Sequence, residues 1–319
     1  MQNKLKMNIL GQTGLVVSEF CLGVLPMGPL QANLPKEVCV GIIRKALELG
    51  VNFLDTAESY YTQPYIGEAI AGKREEVIIA SKSMSKTYSE MYKSVENSLK
   101  ELQTDYIDIY HLHTTRWPVE VLEERKGALQ CLIDLKKEKV IKSIGLATHN
   151  CETLQAAIER DDFDVVFPII NKIGMGIAGG TLHDMINRIS SAYKKGKGIY
   201  AMKALAGGNL ITEIKESFDW VRNIEGISSV AVGLISEDEL LYDLEMFGIE
   251  GLNIKPAKSP KIKRLFITKT LCKGCSECVE ICPNGALSVK DGMAAVEHEK
   301  CILCGYCSPI CSRFAIRIV

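Results

Sequence analysis

Eight of the chain's twelve cysteines fall within forty positions, from Cys272 to Cys311. The first four read Cys272-x2-Cys275-x2-Cys278-x3-Cys282-Pro283, and the second four read Cys301-x2-Cys304-x2-Cys307-x3-Cys311. The second run repeats the first at an offset of 29 residues (301 − 272), and its neighbours repeat too: Ala286 with Ala315, Leu287 with Ile316, Val289 with Ile318. Such a repeat implies two similar halves packed together. Ser312 stands where the repeat would place a second proline, which alters the turn after Cys311 but removes no thiol. The remaining cysteines, Cys21, Cys39, Cys131 and Cys151, are scattered and read as buried small apolar residues.

Thiols crowded in this way in a reducing compartment read as metal ligands rather than disulfides. The spacing resembles that of bacterial two-cluster ferredoxins, in which the fourth cysteine of each run ligates the other cluster. Two [4Fe-4S] clusters are therefore expected. The first would use Cys272, Cys275, Cys278 and Cys311; the second would use Cys301, Cys304, Cys307 and Cys282. Small residues at Gly274, Ser276, Gly305 and Ser308 would let the backbone fold close around the sulfides. A pair of four-thiolate zinc sites is the alternative, although zinc motifs usually join two short Cys-x2-Cys arms.

The other 264 or so positions hold a different kind of domain, since 319 residues suggest about two domains. A net charge of −1, from 38 basic and 39 acidic residues, argues against a nucleic-acid or membrane-surface binder. A 47% apolar content argues against disorder. No apolar run reaches the roughly 18–20 residues that a membrane span needs. Met1–Met7 has no apolar core or small-residue cleavage site, so a cytoplasmic protein is expected.

Eight apolar, strand-like runs punctuate the first 250 residues: Phe20–Val24, Val51–Leu54, Val77–Ala80, Ile107–His111, Ser143–Ala147, Val165–Pro168, Gly198–Met202 and Ser229–Val232. Between them, segments such as Lys36–Leu49, Glu90–Leu102, Val119–Lys139 and Leu182–Lys194 carry apolar residues at helical spacing. Eight such alternations predict an α/β fold, a (β/α)8 TIM barrel. Asn8–Phe20, with Gly11 and Gly14 in its middle, reads as an N-terminal hairpin closing the barrel floor. A doubly wound open sheet lacks its Gly-x-Gly-x-x-Gly fingerprint. The expected organisation is a barrel over 1–250, a basic linker over 251–264 (Lys255, Lys258, Lys261, Lys263 and Arg264 with Pro256 and Pro260), and a small α+β ferredoxin-like domain over 265–319.

Barrel enzymes place their chemistry at the C-terminal ends of the strands. There the sequence puts Asp55 and Tyr60 after the second strand, Lys82 after the third and His113 at the end of the fourth. These make a coherent acid–base set. Lys82, held positive by Asp55, would favour the phenolate of Tyr60 and lower its pKa, and His113 would orient a substrate oxygen. Residues 1–250 resemble the aldo-keto reductases. The match is carried by Asn52-Phe53-Leu54-Asp55-Thr56-Ala57-x-x-Tyr60, Ala80-Ser81-Lys82, Tyr106–His113 and Ile199–Gly208. The whole chain resembles the branch of that family with a fused C-terminal ferredoxin-like domain.

The resemblance implies that Asp55, Tyr60, Lys82 and His113 are the catalytic tetrad of an NAD(P)H-dependent reductase acting on a small aldehyde or ketone. Hydride would go to the carbonyl carbon and Tyr60 would protonate the oxygen; His111 receives no role. NADP or NAD would be held by Thr148, Asn150, Asn171, Met202, Lys203, Gly233 and Ser236. That half of the match departs from the family: Ala147 replaces a serine, Phe167 a glutamine, Met202 a stacking aromatic and Ile235 a phosphate-binding arginine. Tyr61 and Pro64 also replace the glycine and glutamate that often follow the catalytic tyrosine. Nicotinamides move two electrons together and each cluster carries one, and the sequence shows no flavin motif to split the pair. Two alternatives therefore stand beside the first reading. One is a ferredoxin-linked reductase, in which the clusters feed a barrel-bound substrate singly and a ferredoxin or other electron carrier is the partner. The other is a non-catalytic electron-transfer subunit. No nucleic-acid or membrane partner is expected. Substrate specificity would sit in the loops Pro26–Pro35, Thr114–Pro118 and Asn171–Thr181.

Overall fold

The computed structural model describes residues 4–252, 264–313 and 315–318. A short antiparallel hairpin opens the chain, β1 (Met7–Ile9) with β2 (Val16–Ser18), in register Met7 to Ser18. Eight parallel strands then alternate with helices: β3 (Phe20–Gly23), α1 (Lys36–Glu48), β4 (Phe53–Asp55), α2 (Gln63–Ala69), β5 (Ile78–Ser83), α3 (Tyr88–Leu102), β6 (Ile107–Thr115), α4 (Val121–Glu124), α5 (Lys126–Lys137), β7 (Ile141–Thr148), α6 (Cys151–Ile158), β8 (Val165–Pro168), α7 (Leu182–Lys194), β9 (Gly198–Met202), α8 (Ile214–Arg222), β10 (Ser229–Gly233) and α9 (Glu237–Met246). The strands close into a barrel in the order β10-β3-β4-β5-β6-β7-β8-β9. The eight expected strands and the TIM-barrel class are thus met. Among the described residues no helix is long and apolar enough to cross a membrane.

Residues alternate inward and outward along each strand, which sorts the core into two layers. Phe53, Ile78, Ala80, Ile109, Ala147, Val165, Phe167 and Tyr200 fill the barrel interior. The opposite faces, such as Leu22, Leu54, Ile79, Tyr110 and Leu146, pack beneath the helices. The hairpin contributes Leu10 and Val17 to the interior layer. A side chain at Gly198 would come within 2.7 Å of Leu10 Cγ, so that glycine admits the floor plug.

One expected helix is divided. Residues 119–139 form α4 and α5, with the break at Arg125. Its guanidinium turns inward and is fully buried, donating to Ser83 O (2.9 Å), Ser85 O (2.8 Å) and His113 O (2.8 Å). The helix yields there because three strand-end carbonyls need donors.

The C-terminal unit comprises β11 (Leu265–Ile267), α10 (Glu277–Glu280), β12 (Leu287–Lys290), β13 (Met293–Val296), α11 (Cys307–Ile310) and β14 (Ile316–Ile318). β11 pairs with β14 and β12 with β13, both antiparallel, over a small core of Leu265, Leu287, Leu303 and Ile316. The basic linker lies, over 253–263, outside the described residues.

Candidate active site and iron–sulfur sites

The barrel topology brings the four expected catalytic residues to one mouth. Asp55 ends β4 and Lys82 lies near the end of β5. Lys82 donates to Asp55 Oδ1 (2.7 Å), Asp55 Oδ2 (2.8 Å) and Thr56 O (2.7 Å), so all three of its donors are engaged. Tyr60 sits in the single turn Glu58–Tyr60 after β4, whose ends are tied by Thr56 Oγ1 and Thr62 Oγ1 at 2.9 Å. A side chain at Gly28 would meet Thr62 and the Tyr60 carbonyl, so glycine lets the first βα loop lie on this turn. Tyr61 takes the left-handed conformation, φ 59°, in the place where relatives favour glycine, and its ring points outward. Pro64 is the second residue of α2, within the first turn, where a missing N–H costs nothing.

The Lys82 ammonium lies 5.0 Å from the centre of the Tyr60 ring. The ring of His113 meets that of Tyr60 edge-on at 6.3 Å. Burial raises the pKa of Asp55 and lowers that of Lys82, each opposed by its partner. Burial, with Lys82, His149, Arg125 and His111 nearby, holds His113 well below the usual histidine range, hence neutral. Tyr60 departs from expectation. Burial first, then Tyr306 and Asp55, push its phenol well above the usual value. Lys82 is engaged by Asp55 and does not draw Tyr60 toward the phenolate; Tyr60 holds its proton.

The residues expected to hold a nicotinamide are mostly engaged elsewhere. Thr148 Oγ1 donates to Thr115 O at 3.1 Å. Asn150 Oδ1 caps α6, accepting from Glu152 N and Thr153 N. Asn171 uses both ends of its amide on Met175, at 2.9 Å each. Ser236 caps α9 by accepting from Glu239 N. Gly233 abuts Pro26, and Met202 packs among the interior residues. Lys203, at φ 64°, has its amine enclosed near Cys301 and Cys304. Of this set, Thr148 Oγ1, Asn150 Oδ1 and the Asn171 amide are committed to backbone partners.

Two cavities lie in the C-terminal unit. One is lined by Cys282, Cys301, Cys304 and Cys307. The other is lined by Cys272, Cys275, Cys278 and Cys311. Each draws three cysteines from one run and the fourth from the other. Backbone amides of Ala286, Ala294 and Ala315 point at the sulfurs of Cys282, Cys272 and Cys311, at 3.3–3.4 Å. Gly274 and Leu303, and likewise Ser276 and Gly305, are repeat-related pairs, and all four take positive φ. The repeat therefore extends to the backbone.

The two cysteine loops face different surroundings. In the first, Lys273, Cys275 and Glu277 are exposed. In the second, Ile302 is 1% exposed and joins the core of the barrel. A side chain on Gly207 would come within 2.0 Å of Ile302 O, and one on Gly305 within 2.6 Å of Leu30 O. Gln31 donates to Leu303 O (3.0 Å), Arg116 to Asn284 (3.2 Å) and Asn209 to Cys301 O (3.3 Å). Gly176 also abuts Ile302. All three loops expected to read the substrate thus touch the small unit. Tyr306 enters the mouth: it packs on Leu30, Ala57 and Tyr60, and its ring lies 6.5 Å from that of His113.

Sequence reasoning missed Tyr306, Arg125, and Tyr200, whose hydroxyl reaches Asp55 at 3.0 Å. A signal for Tyr306 was available. The repeat pairs Lys273 with Ile302, Gly274 with Leu303 and Glu277 with Tyr306, so the second loop is apolar where the first is polar.

Comparisons agree with this architecture. Residues 19–233 match the model of the aldo/keto reductase family, and residues 264–312 match a 4Fe-4S dicluster domain. Methylglyoxal reductase DkgA of Escherichia coli is 35% identical over 165 residues, covering 51% of this chain and 55% of that protein. This chain therefore spans about half the length of that relative. L-galactose dehydrogenase of Arabidopsis thaliana is 29% identical over 224 residues, covering 66% and 68%. A solved aldo-keto reductase structure from Pseudomonas aeruginosa superposes with a TM-score of 0.67 at 27% identity, covering 77% of this chain and 96% of the other. The holo form of an aldo-keto reductase from Bacillus halodurans, at 20% identity, shares the fold with a TM-score of 0.65 over 80% and 94% of the two chains. The chain belongs to the aldo/keto reductase family and carries a C-terminal 4Fe-4S dicluster domain.

Proposed function

We propose that the barrel mouth reduces the carbonyl group of a small aldehyde or ketone, and that clusters held by the C-terminal cysteines would supply the electrons. The observation that carries this reading is Tyr306. It lies between Cys304 and Cys307, packs against Tyr60, and its ring lies 6.5 Å from that of His113. The inner cysteine set therefore adjoins the acid–base site, while Cys275 of the outer set faces solvent. This favours entry of electrons from an external one-electron carrier at the outer set.

The thiolates fit clusters better than single ions. Each set of four lines one cavity, and among the described residues no group of three or more Cys, His, Asp or Glu is gathered closely enough for one metal ion. Cys272, Cys275, Cys278 and Cys311 would hold one cluster, and Cys301, Cys304, Cys307 and Cys282 the other. When bound, such clusters accept and release one electron each. Lys203 lies beside Cys301 and Cys304, where its positive charge would favour the more reduced, more negative state of a bound cluster. Thr148 and Asn171, two of the residues that would hold the nicotinamide implied by the family resemblance, are committed to backbone partners, and we assign that cofactor no step.

Reduction of C=O to CH–OH takes two electrons and two protons. Tyr60 delivers the proton to oxygen: its raised pKa keeps it protonated until negative charge develops on the substrate. Neutral His113 donates a hydrogen bond to the same oxygen. Asp55 and Lys82 fix the turn that carries Tyr60, through Thr56 O. The second proton, to carbon, comes from water. Tyr306 covers the mouth and must move aside for the substrate oxygen.

The test uses iron-replete protein under anaerobic conditions with methylglyoxal as the probe carbonyl. Turnover driven by dithionite but not by NADH or NADPH supports the reading. Turnover with a nicotinamide while the clusters stay oxidised overturns the electron route and restores hydride transfer. Turnover undiminished in Tyr60→Phe overturns the site.

A further inference from the structure

Beneath the tetrad the barrel holds a chain of polar atoms to which none of the chemistry above gives a role. Tyr200 and His111 are both wholly buried. The Tyr200 hydroxyl lies 3.0 Å from Asp55 Oδ2 and 2.6 Å from His111 Nε2. Phe167 stacks on the Tyr200 ring at 3.8 Å and 11°, which fixes its plane. A side chain at Gly145 would come within 2.0 Å of His111 Nδ1, so the glycine in β7 leaves room for the imidazole.

The direction of this chain follows from counting protons. A charged carboxylate only accepts, and a hydroxyl has one proton to give. With Asp55 charged, the Tyr200 proton points to Asp55, and His111 must then donate from Nε2. That leaves Nδ1 as a bare acceptor, and Nδ1 is buried without a hydrogen-bond partner. The opposite tautomer would bury an unpartnered N–H and take the Tyr200 proton away from Asp55. Both consequences are unfavourable, and orphaned buried N–H groups are the rarer kind.

We propose that His111 and Tyr200 are positioning residues. A one-way chain, His111 Nε2–H to Tyr200 Oη–H to Asp55 Oδ2, holds the Asp55 carboxylate charged and aimed at Lys82, and so holds the turn that carries Tyr60. Among the described residues Asp55 Oδ1 has only Lys82, whereas Oδ2 takes both Lys82 and Tyr200. Tyr200 is thus, among them, the one donor to this carboxylate that is neither charged nor shared. The consequence for turnover rests on the tetrad reading above; the hydrogen-bond direction does not.

The chain has five histidines, which suits nitrogen-15 histidine NMR on oxidised holoprotein. His111 should be a neutral Nε2–H tautomer from about pH 5 to 8. Tyr200→Phe, which keeps the ring and its stack on Phe167, should abolish that bias. An Nδ1–H tautomer in the wild type, or a bias that survives Tyr200→Phe, overturns the chain. In turnover of a probe carbonyl, Tyr200→Phe should lower kcat about ten- to a hundredfold with KM unchanged, the scale of one hydrogen bond to a charged group. The acid limb of its kcat profile should move to higher pH, because a carboxylate that has lost a donor ionises less readily. The groups facing Asp55 in that titration are Lys82, Cys21, Tyr60, Tyr200 and Tyr306. A raised KM with kcat and the acid limb unmoved would mark a merely structural role and overturn the positioning claim. Full turnover in Tyr60→Phe would instead sink the tetrad reading, and the tautomer result would still decide the chain.

Discussion

The Asp55–Lys82 pair is present for chemistry and against stability, and that can be measured. The side chain of Lys82 is 1% exposed and that of Asp55 7%. Burial is the largest influence on both, raising one pKa and lowering the other. Removing one partner strands a charge in the barrel, at a cost of about 3–5 kcal/mol. For a barrel of this size that is a fall in melting temperature of roughly 6–20 °C, at about 2–4 °C per kcal/mol. Removing both charges should be neutral or stabilising, within about 1–4 kcal/mol above the wild type. The two single variants should also respond to pH in opposite senses. In Lys82→Met, Asp55 loses the cation that opposed its burial, so its folded pKa rises further. Its stabilising contribution is full below the unfolded pKa and is lost as pH rises through the folded one. The deficit of Lys82→Met therefore grows as pH rises from the ordinary aspartate value toward the raised folded one. In Asp55→Asn, Lys82 is left with a further lowered pKa, so the deficit is full below that folded value and shrinks as pH rises from it toward the ordinary lysine value. Circular-dichroism melts of Asp55→Asn, Lys82→Met and the double variant across that range, run anaerobically, would show it. Equal pH slopes for the two single variants, or a double variant as unstable as the sum of the singles, would refute the argument. All three should lack carbonyl turnover, including the double variant that melts like the wild type.

Three further outcomes are expected. Tyr60→Phe should lower probe-carbonyl turnover by about 10²–10⁴-fold, while the cluster EPR spectrum keeps its shape. Cys272→Ser with Cys311→Ser should leave about four irons per chain, because both belong to one set, whereas Cys272→Ser with Cys282→Ser should lose both clusters; iron analysis decides, and the reverse pattern would mean that each run binds its own cluster. Gly207→Ala places a methyl within 2.0 Å of Ile302 O at a φ of 67°. It should lift the second cysteine loop off the barrel, seen as faster iron release to a chelator, with the far-ultraviolet spectrum of the barrel retained.

How much of this was legible in the sequence depended on whether the signal was local. The strands were legible because parallel, doubly covered strands read as continuous apolar runs, and each of the eight expected runs lies on a barrel strand. The tetrad was legible because Asp55, Lys82 and His113 fall at strand ends, where a polar residue interrupts such a run. Arg125 was not, because nothing in its neighbourhood announces that Ser83 O, Ser85 O and His113 O need a donor; that need arises only when β5 and β6 stand side by side. Tyr200 was hidden for the same reason, since its partners lie 145 and 89 positions away.

The contact between the two units lies between these cases. An internal repeat is a controlled comparison: two segments share one ancestral task, so their differences report what each half does besides that task. Both runs keep the cysteines and the positive-φ backbone that a cluster needs. Between the cysteines, Lys273, Gly274 and Glu277 face water, or lie near it, in the first run, while Ile302, Leu303 and Tyr306 replace them in the second. An isoleucine and a leucine on an exposed cluster loop would be an apolar liability, so their presence marks a surface that is covered. The cover is the barrel, because Ile302 sits in its core and Tyr306 reaches its tetrad. The asymmetry thus orders the molecule: one cluster loop open to a donor, the other sealed against the site where a carbonyl would be reduced, and between that loop and the site only the ring of Tyr306 to displace.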